Sequence, residues 1–487
     1  MKLLIVGMDG VTYSTFERGW TPFIASLISK GDRLNVEEDL LSRGWSEIVT
    51  GQHAINSGAL YERPLMNGGY GWTESFKIAD VPSLGEGIKP FWQVLNERGL
   101  KVGVMNVPTT FPAPKVDGFF VSGGGGGGPV TQTPTLEQCS DSDVHKYLLK
   151  QGYIVDERFG SLLGEKKLYS AVDFFERLVQ KVRKRTEAFI HLAKERDIDC
   201  GFIVYKSATV GAESLVLPEL LRKKNEDSSV NQEIVAGAEE LYRNLDLQVK
   251  LLHESFPDAK IVLVSDHATV NKVADVNLNA LLVECGFQKH SATKVGLYRI
   301  IKRNKHLIPY FIKKRMKQKA SVKSAYESMV TFDAKRSLAF SMTLSNGLHG
   351  IYMNDRNRFG GPVPSSEVAR LAMELVSKIN AHPLFGTERF FAEAVEKKLA
   401  SKQADQFPDV VIRMPDGYQT STTSKEVIER YELPHQKVTL KDAEKDLRST
   451  MKGHAALAVS IGHNWHCPGR SSGDLTMVYD HILNTML

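Results

Sequence analysis

Two short apolar runs in this chain end on groups that bind metal ions. Ile261-Val-Leu-Val-Ser-Asp266-His267 closes on a carboxylate and an imidazole, and Lys2-Leu-Leu-Ile-Val-Gly-Met-Asp9-Gly10 closes on a second carboxylate. Mixed oxygen and imidazole ligands suit Zn2+ best, and Mn2+ accepts the same set. Each run reads as a strand buried on both faces. In an open α/β sheet, ligands bind beyond the carboxyl ends of the strands, which is where Asp9, Asp266 and His267 fall. A third run, Gly201-Phe-Ile-Val-Tyr205, leads into Lys206, Thr209 and Glu213, so these polar groups are expected at the same edge. His454, opening the apolar stretch Gly453 to Ile461, offers another imidazole. Ser42 and Ser46 lie where the segment Leu40 to Gly51 turns into a helix. A hydroxyl among the converging N–H groups of a helix start is a suitable nucleophile or phosphate ligand, although an N-cap serine is the plainer reading.

The elements that must position these groups alternate between strand and helix. Thr21 as N-cap, Pro22 at the first position and Gly31 at the end bound a helix, and Pro90 to Gly99 forms another before the strand Lys101 to Asn106. Residues 140 to 198 are mostly helical, with Phe174, Leu178, Val182 and Phe189 on one face, and they lead into the Gly201 strand. A long helix bearing Ile234, Ala238, Leu241, Leu245, Val249 and Leu252 on one face then feeds the strand that ends at Asp266. This order predicts an α/β fold: a mostly parallel central sheet with helices on both faces. Core is expected in 1–139, 199–289 and 446–487. A helical cap insertion is expected over 140–198 and a second insertion or lid over 290–445. Gly123 to Gly128 reads as a flexible loop, because no strand-to-helix glycine fingerprint surrounds it. The basic stretch 301–323 reads as a surface helix or lid, Pro408 to Ile412 as a strand, and His481 to Leu487 as a closing helix.

The totals narrow the function classes. With 487 residues, 42% hydrophobic and 24% charged, the chain fits a globular protein with one large core and insertions, or two domains. A net charge of +5 is slight for this length; it favours a small anionic substrate and does not indicate a nucleic-acid polymer. Four scattered cysteines without a CxxC pair suit a reducing compartment. No apolar run has the length of a membrane span, and the N-terminal run is expected to be a strand, not a signal peptide, so a cytoplasmic location is expected.

Several segments also follow one another in a familiar order: Met8-Asp9-Gly10, Ile48-Val-Thr-Gly51, Val104 to Pro112, Val264-Ser-Asp-His267 with Val276-Asn-Leu-Asn279, Gly350 to Asn354, Phe407-Pro-Asp-Val410 and Gly453-His454. On these segments the chain resembles the type I phosphodiesterase and nucleotide pyrophosphatase-like branch of the alkaline phosphatase superfamily. The resemblance implies an alkaline phosphatase-like sheet and two divalent metals that clamp the attacking and leaving oxygens of an in-line displacement. It implies Asp9, Asp266 and His267 as ligands of the metal that holds the nucleophile, and His454 as a ligand of the other. The family's Asp and its His four residues later fall here on Thr209 and Glu213, of which only Glu213 is a possible ligand. The family's nucleophile position falls on Leu41, or on Ser42 with one residue deleted; Ser46 is the runner-up. A family histidine after the Thr-Gly segment is replaced by Ser57. A weak or absent second metal resembles the single-metal sulfatases and phosphonate monoester hydrolases, which implies Lys206 on the leaving-group side and His454 as a hydrogen-bond donor or general acid. His463 and His466 read as loop residues without a ligand role. The expected function is a metal-dependent hydrolase or transferase acting on a phosphate ester, phosphodiester or related anionic ester. The alternatives are an inactive binding or scaffold protein, or a lyase, isomerase or group transferase that uses one metal to orient an anion.

Overall fold

Runs of branched apolar residues form the centre of the first of two units. The computed structural model describes residues 1–61, 63–66, 70, 78, 87–124, 133–156, 171–206, 208–289, 332–342, 350–397, 402–421, 424, 426–433, 449–466 and 472–487. The chain divides into Met1–Ala59, Phe76–Lys272 and Leu433–Leu487 on one side, and Leu60–Ser75 and Val273–Glu432 on the other.

The strands of the first unit include β1 (Leu3–Gly7), β2 (Asp32–Arg33), β3 (Val102–Met105), β4 (Gly118–Val121), β5 (Cys200–Val204), β6 (Lys260–Val264), β7 (Ala268–Asn271), β8 (Thr450–Gly453) and β9 (Ala458–Ile461). Seven of them make one sheet in the order β2-β9-β6-β1-β5-β3-β4. The pairs from β6 to β4 are parallel, and β9 runs antiparallel to both β6 and β2. The mostly parallel sheet expected from the strand and helix alternation is therefore present. Successive β1 side chains enter different cores: Leu4 and Val6 join one buried cluster, Leu3 and Ile5 the other. That is the period-two consequence of a strand covered on both faces. Each fully buried side chain of this kind contributes roughly 1.5–3 kcal/mol.

Helices α1 (Pro22–Lys30), α2 (Gly44–Thr50), α3 (Ala171–Glu195), α4 (Ala208–Lys224), α5 (Gln232–Ser255) and α6 (Thr476–Met486) cover the sheet. Phe174, Leu178, Val182 and Phe189 of α3 share a core with Ile234, Ala238, Leu241 and Leu245 of α5 and with β1. The segment expected as a helical cap over 140–198 thus supplies a core helix, because its apolar face is wide enough to bury against the sheet. The closing helix begins at Thr476, earlier than expected, since Val478 and Ile482 continue its buried stripe.

The long segment of the second unit begins at Val273, before the expected lid boundary, because Ala274–Val276 pairs with Tyr418–Thr420 and Ile428–Arg430 in a three-stranded sheet. A four-stranded sheet orders Ala339–Phe340, Gly350–Met353, Val410–Arg413 and Phe391–Ala394. Two family-like segments prove to be framework here. Asn279 accepts from Ser341 N and donates to the Ser341 carbonyl, and Asp409 accepts from Met353 N, Arg358 and Lys397. Those partners hold the Asp409 carboxyl below its usual range even though burial opposes this. The basic stretch 301–323 and Gly125 to Gly128 lie outside the described residues.

Candidate metal centre

The parallel register decides which strand-end residues meet. Gly7 lies level with Val264 on one side and with Val204 on the other. Asp9, Asp266 and Lys206 are each two residues beyond those three paired positions, so three neighbouring strands deliver them at one level of the same edge. Ligand atoms of Asp9, Asp266 and His267 all lie within 4.8 Å of one another. His267 Nε2 is 3.5 Å from Asp9 Oδ1 and 3.5 Å from Asp266 Oδ2. All three residues are buried.

Neighbouring groups hold the trio in place. Trp45 of α2 donates its indole N–H to Asp9 Oδ2 at 3.1 Å. Ser265 Oγ accepts from Val11 N at 3.2 Å and donates to the His267 carbonyl at 2.7 Å, tying the two strand-end loops together. The Thr209 hydroxyl lies 2.7 Å from the Asp9 carbonyl and 2.9 Å from that of Tyr205. Gly44 lets the start of α2 approach closely, since a Cβ there would stand 2.2 Å from the Asp266 carbonyl oxygen.

The electrostatics fit a divalent cation. Burial, and then the charge of Asp9, push the Asp266 carboxyl up to about 8. Burial, and then Lys452, lower the His267 imidazole to about 3, which keeps it neutral. His267 Nδ1 lies 2.6 Å from the Ala268 carbonyl; donating there leaves Nε2 with its lone pair facing the two carboxylates. Asp266 Oδ1 is buried without a hydrogen-bond partner. Two carboxylates, one with a buried unpartnered oxygen, and a neutral imidazole of fixed tautomer are a donor set that suits a divalent metal ion.

The other expected site residues are placed differently. Both Glu213 oxygens accept from Arg18 at 2.7 Å, and Tyr242 donates to Oε1 at 2.6 Å, so the carboxylate expected as a ligand is engaged in an ion pair. His454 is half-buried, and its ring does not join the metal-ligand groupings found among the described residues. Ser42 is 1% exposed; its hydroxyl donates to Asp39 Oδ2 at 2.9 Å and accepts from Ala54 N at 3.0 Å. Those bonds tie Ser42, the expected nucleophile, to Asp39 and to the Ala54 main chain. Ser46 is fully buried in α2, its Oγ without a hydrogen-bond partner. Lys206 is half-buried and donates to the Gly124 carbonyl at 2.8 Å. His463 and His466 gather around buried His481, with ring centroids 4.4 Å and 5.4 Å away.

A second grouping, Asp39, Glu47 and His53, is already served by a cation of its own. Hydrogen bonds to Asp474 and Glu47 raise the His53 imidazole to about 11, so it is the imidazolium that these carboxylates hold.

Sequence reasoning missed Lys452. It lies in β8, paired with Thr269 of β7, and it is the leading cationic influence on both Asp266 and His267. Its position two residues before His454 was the available signal, but only the antiparallel pairing of distant segments brings it to the trio.

A parallel sheet flanked by helices, with acidic and imidazole groups gathered at the carboxyl ends of adjacent strands, defines an α/β protein with a candidate metal centre at its sheet edge. Residues 3–440 match the family model for type I phosphodiesterase / nucleotide pyrophosphatase, and the chain belongs to that family. Among solved structures, phosphonoacetate hydrolase from Sinorhizobium meliloti 1021 in complex with phosphonoacetate is 11% identical, with 100% of this chain and 96% of that one covered and a TM-score of 0.51. Wild type alkaline phosphatase PafA is 10% identical over 99% of this chain and 95% of that chain, with a TM-score of 0.49. Murine ectonucleotide pyrophosphatase / phosphodiesterase 5 is 11% identical over 100% of this chain and 95% of that one, with a TM-score of 0.43. No match is found among the curated proteins.

Proposed function

We propose that this chain is a hydrolase of phosphate or phosphonate esters that works with one divalent metal, zinc best and manganese second. The observation that carries this reading is the convergence of Asp9, Asp266 and His267 with one buried carboxylate oxygen left unpartnered. Membership of a phosphodiesterase and pyrophosphatase family supports the reaction class. A cation held by the trio supplies Lewis-acid stabilisation to a phosphoryl oxygen.

The chain's own residues do the rest. Trp45 orients Asp9 through the oxygen nearest the indole. The Nδ1–H of His267 fixes which nitrogen faces the ion. Lys206 neutralises charge that develops on the departing oxygen, as an ammonium does without releasing a proton. With Ser42 bound to Asp39 and Ala54, water is the attacking group in this reading. Glu213 is engaged by Arg18 and Tyr242 and Thr209 by the Asp9 carbonyl, so this reading assigns one metal, held by the trio. The same losses favour a second reading, in which the chain binds an anionic ester without turning it over.

The test combines metal analysis with a panel of phosphate monoesters, phosphodiesters and phosphonates. One zinc per chain, with turnover lost on chelation and in Asp266→Ala, is the expected result. Zinc uptake without any turnover would favour the binding reading. Turnover that survives Asp266→Ala and chelation would remove the metal from the chemistry.

A further inference from the structure

Helix α2 meets the trio on one side and a buried ion pair on the other. At its start Gly44 lies close against the Asp266 carbonyl, and the Trp45 indole donates to Asp9 Oδ2 at 3.1 Å. Glu47 follows two residues later, roughly 200° further around the helix axis, and is fully buried. Its Oε1 lies 2.5 Å from His53 Nδ1, and the other ring nitrogen, Nε2, lies 3.2 Å from Asp474 Oδ2. Ionised carboxylates only accept, so both ring nitrogens carry hydrogen and His53 is held as the imidazolium.

The groups around this pair are themselves fixed. Asp474 Oδ1 accepts from Thr476 N at 2.9 Å and from the Thr476 hydroxyl, at the first turn of α6. Glu38 Oε1 accepts from Leu475 N at 3.2 Å. Burial, and then the charge of Glu47, hold the Glu38 carboxyl well above the usual range, so it keeps its proton beside Glu47. Asp39 faces the group from the other side, its Oδ1 taken by Leu41 N at 2.8 Å and Ser42 N at 2.7 Å.

This gives α2 two fastenings on opposite sides. The helix has seven residues, about two turns, so Trp45 and Glu47 move as one body. A buried carboxylate that loses its cation must stay unpaired or take up a proton, and either outcome loosens its hold on the partner element. A loosened α2 changes the hydrogen bond that orients Asp9, and partners of metal ligands set affinity as the ligands themselves do.

We propose that His53 is a positioning residue for the metal centre: its imidazolium, clamped between Glu47 and Asp474, fixes α2 so that Trp45 meets Asp9 and the helix start meets Asp266. The effect on zinc rests on the reading of the trio as a metal centre; the effect on Trp45 does not.

The test follows the Trp45 indole N–H by nuclear magnetic resonance in the full-length, metal-free chain, its signal assigned by its loss in Trp45→Phe, and zinc affinity by calorimetric titration. His53 is half-exposed, so His53→Gln is expected to fold. It should shift the Trp45 signal and lower zinc affinity about tenfold, the lower end of what disturbed partners of metal ligands cost. His53→Lys, which returns a positive charge to the carboxylates, should recover most of both effects. A merely structural role would lower the melting temperature and leave the indole signal and the zinc affinity of the folded chain where they are. That result in His53→Gln would overturn the proposal. In the native chain both ring nitrogens of His53 should still carry hydrogen at about pH 9, where an ordinary imidazole is neutral; a neutral ring there would overturn the proposal without any variant. A native chain that takes up no zinc would instead overturn the metal reading, and the Trp45 signal would still decide the role of His53.

Discussion

Asp266 and Ser42 show how surroundings assign work to a side chain. Asp266 must give up its proton to ligate a cation, and burial beside Asp9 raises its carboxyl from the ordinary 3.8 to about 8. Zinc affinity is therefore expected to rise with pH up to about 8 and to level off above it, which titrations across that range would read. The metal-free chain should show the matching trend in stability. An acid whose folded pKa is raised binds its proton in the native state while the unfolded chain has already released it, so stability falls as pH climbs from about 4 to about 8. Ser42 is a hydroxyl in a plausible place for attack, yet both its hydrogen-bonding roles are filled by Asp39 and Ala54. Ser42→Ala is expected to leave turnover within about threefold while costing about 1–3 kcal/mol of stability, the penalty for unsatisfied buried partners. Abolished turnover in a stably folded Ser42→Ala protein would return the serine to the chemistry.

Between elements, close approach and strand register matter more than any single bond. α2 begins against the main chain at Asp266, and Trp45 one residue later reaches Asp9. Gly44→Ala must push the helix start away from the Asp266 carbonyl. The expected result is a loss of about 1–3 kcal/mol from overpacking together with weaker zinc binding, read by melting and by metal titration. Beside β9, α6 carries His481 against Ser460, whose Oγ is 3.0 Å from His481 Nε2, while His466 N donates to Nδ1 at 3.2 Å. Burial, followed by the neighbouring His463, lowers the His481 imidazole from 6.5 to about 3. A base lowered in the native state is neutral there while the unfolded chain binds the proton. Its contribution to stability is therefore complete above about 6.5 and is lost as pH falls toward about 3. A melting temperature that drops through this window in the native chain, and less steeply in His481→Phe, is the expected signature.

At the scale of the whole molecule, binding of a cation to the folded trio alone links the metal to global stability. Zinc at 100 times its dissociation constant should add about 2.7 kcal/mol, and chelation should remove it. Scanning calorimetry with and without metal measures this directly, and an unchanged transition would argue against a folded-state site. The family assignment and the central sheet were legible because strand ends, capped helices and ordered segments leave local marks. Asp9, Asp266 and His267 could be named for the same reason, each following a recognisable apolar run. The role of Glu213 was not legible, because it depends on Arg18 and Tyr242, which lie far away in sequence. The extent of the second unit was hidden in the same way, since Ala274–Val276 takes its strand partners from beyond residue 417.

The amino-acid order alone determined which segments become buried strands and which ligand types follow them, because hydrophobic periodicity and terminal residues act over a few neighbours. Only the tertiary structure decided that Gly7, Val204 and Val264 stand level and that Lys452 pairs beside Thr269, next to the strand end that carries Asp266. Those outcomes depend on pairing between residues far apart in the sequence, and a local pattern carries no record of such distances.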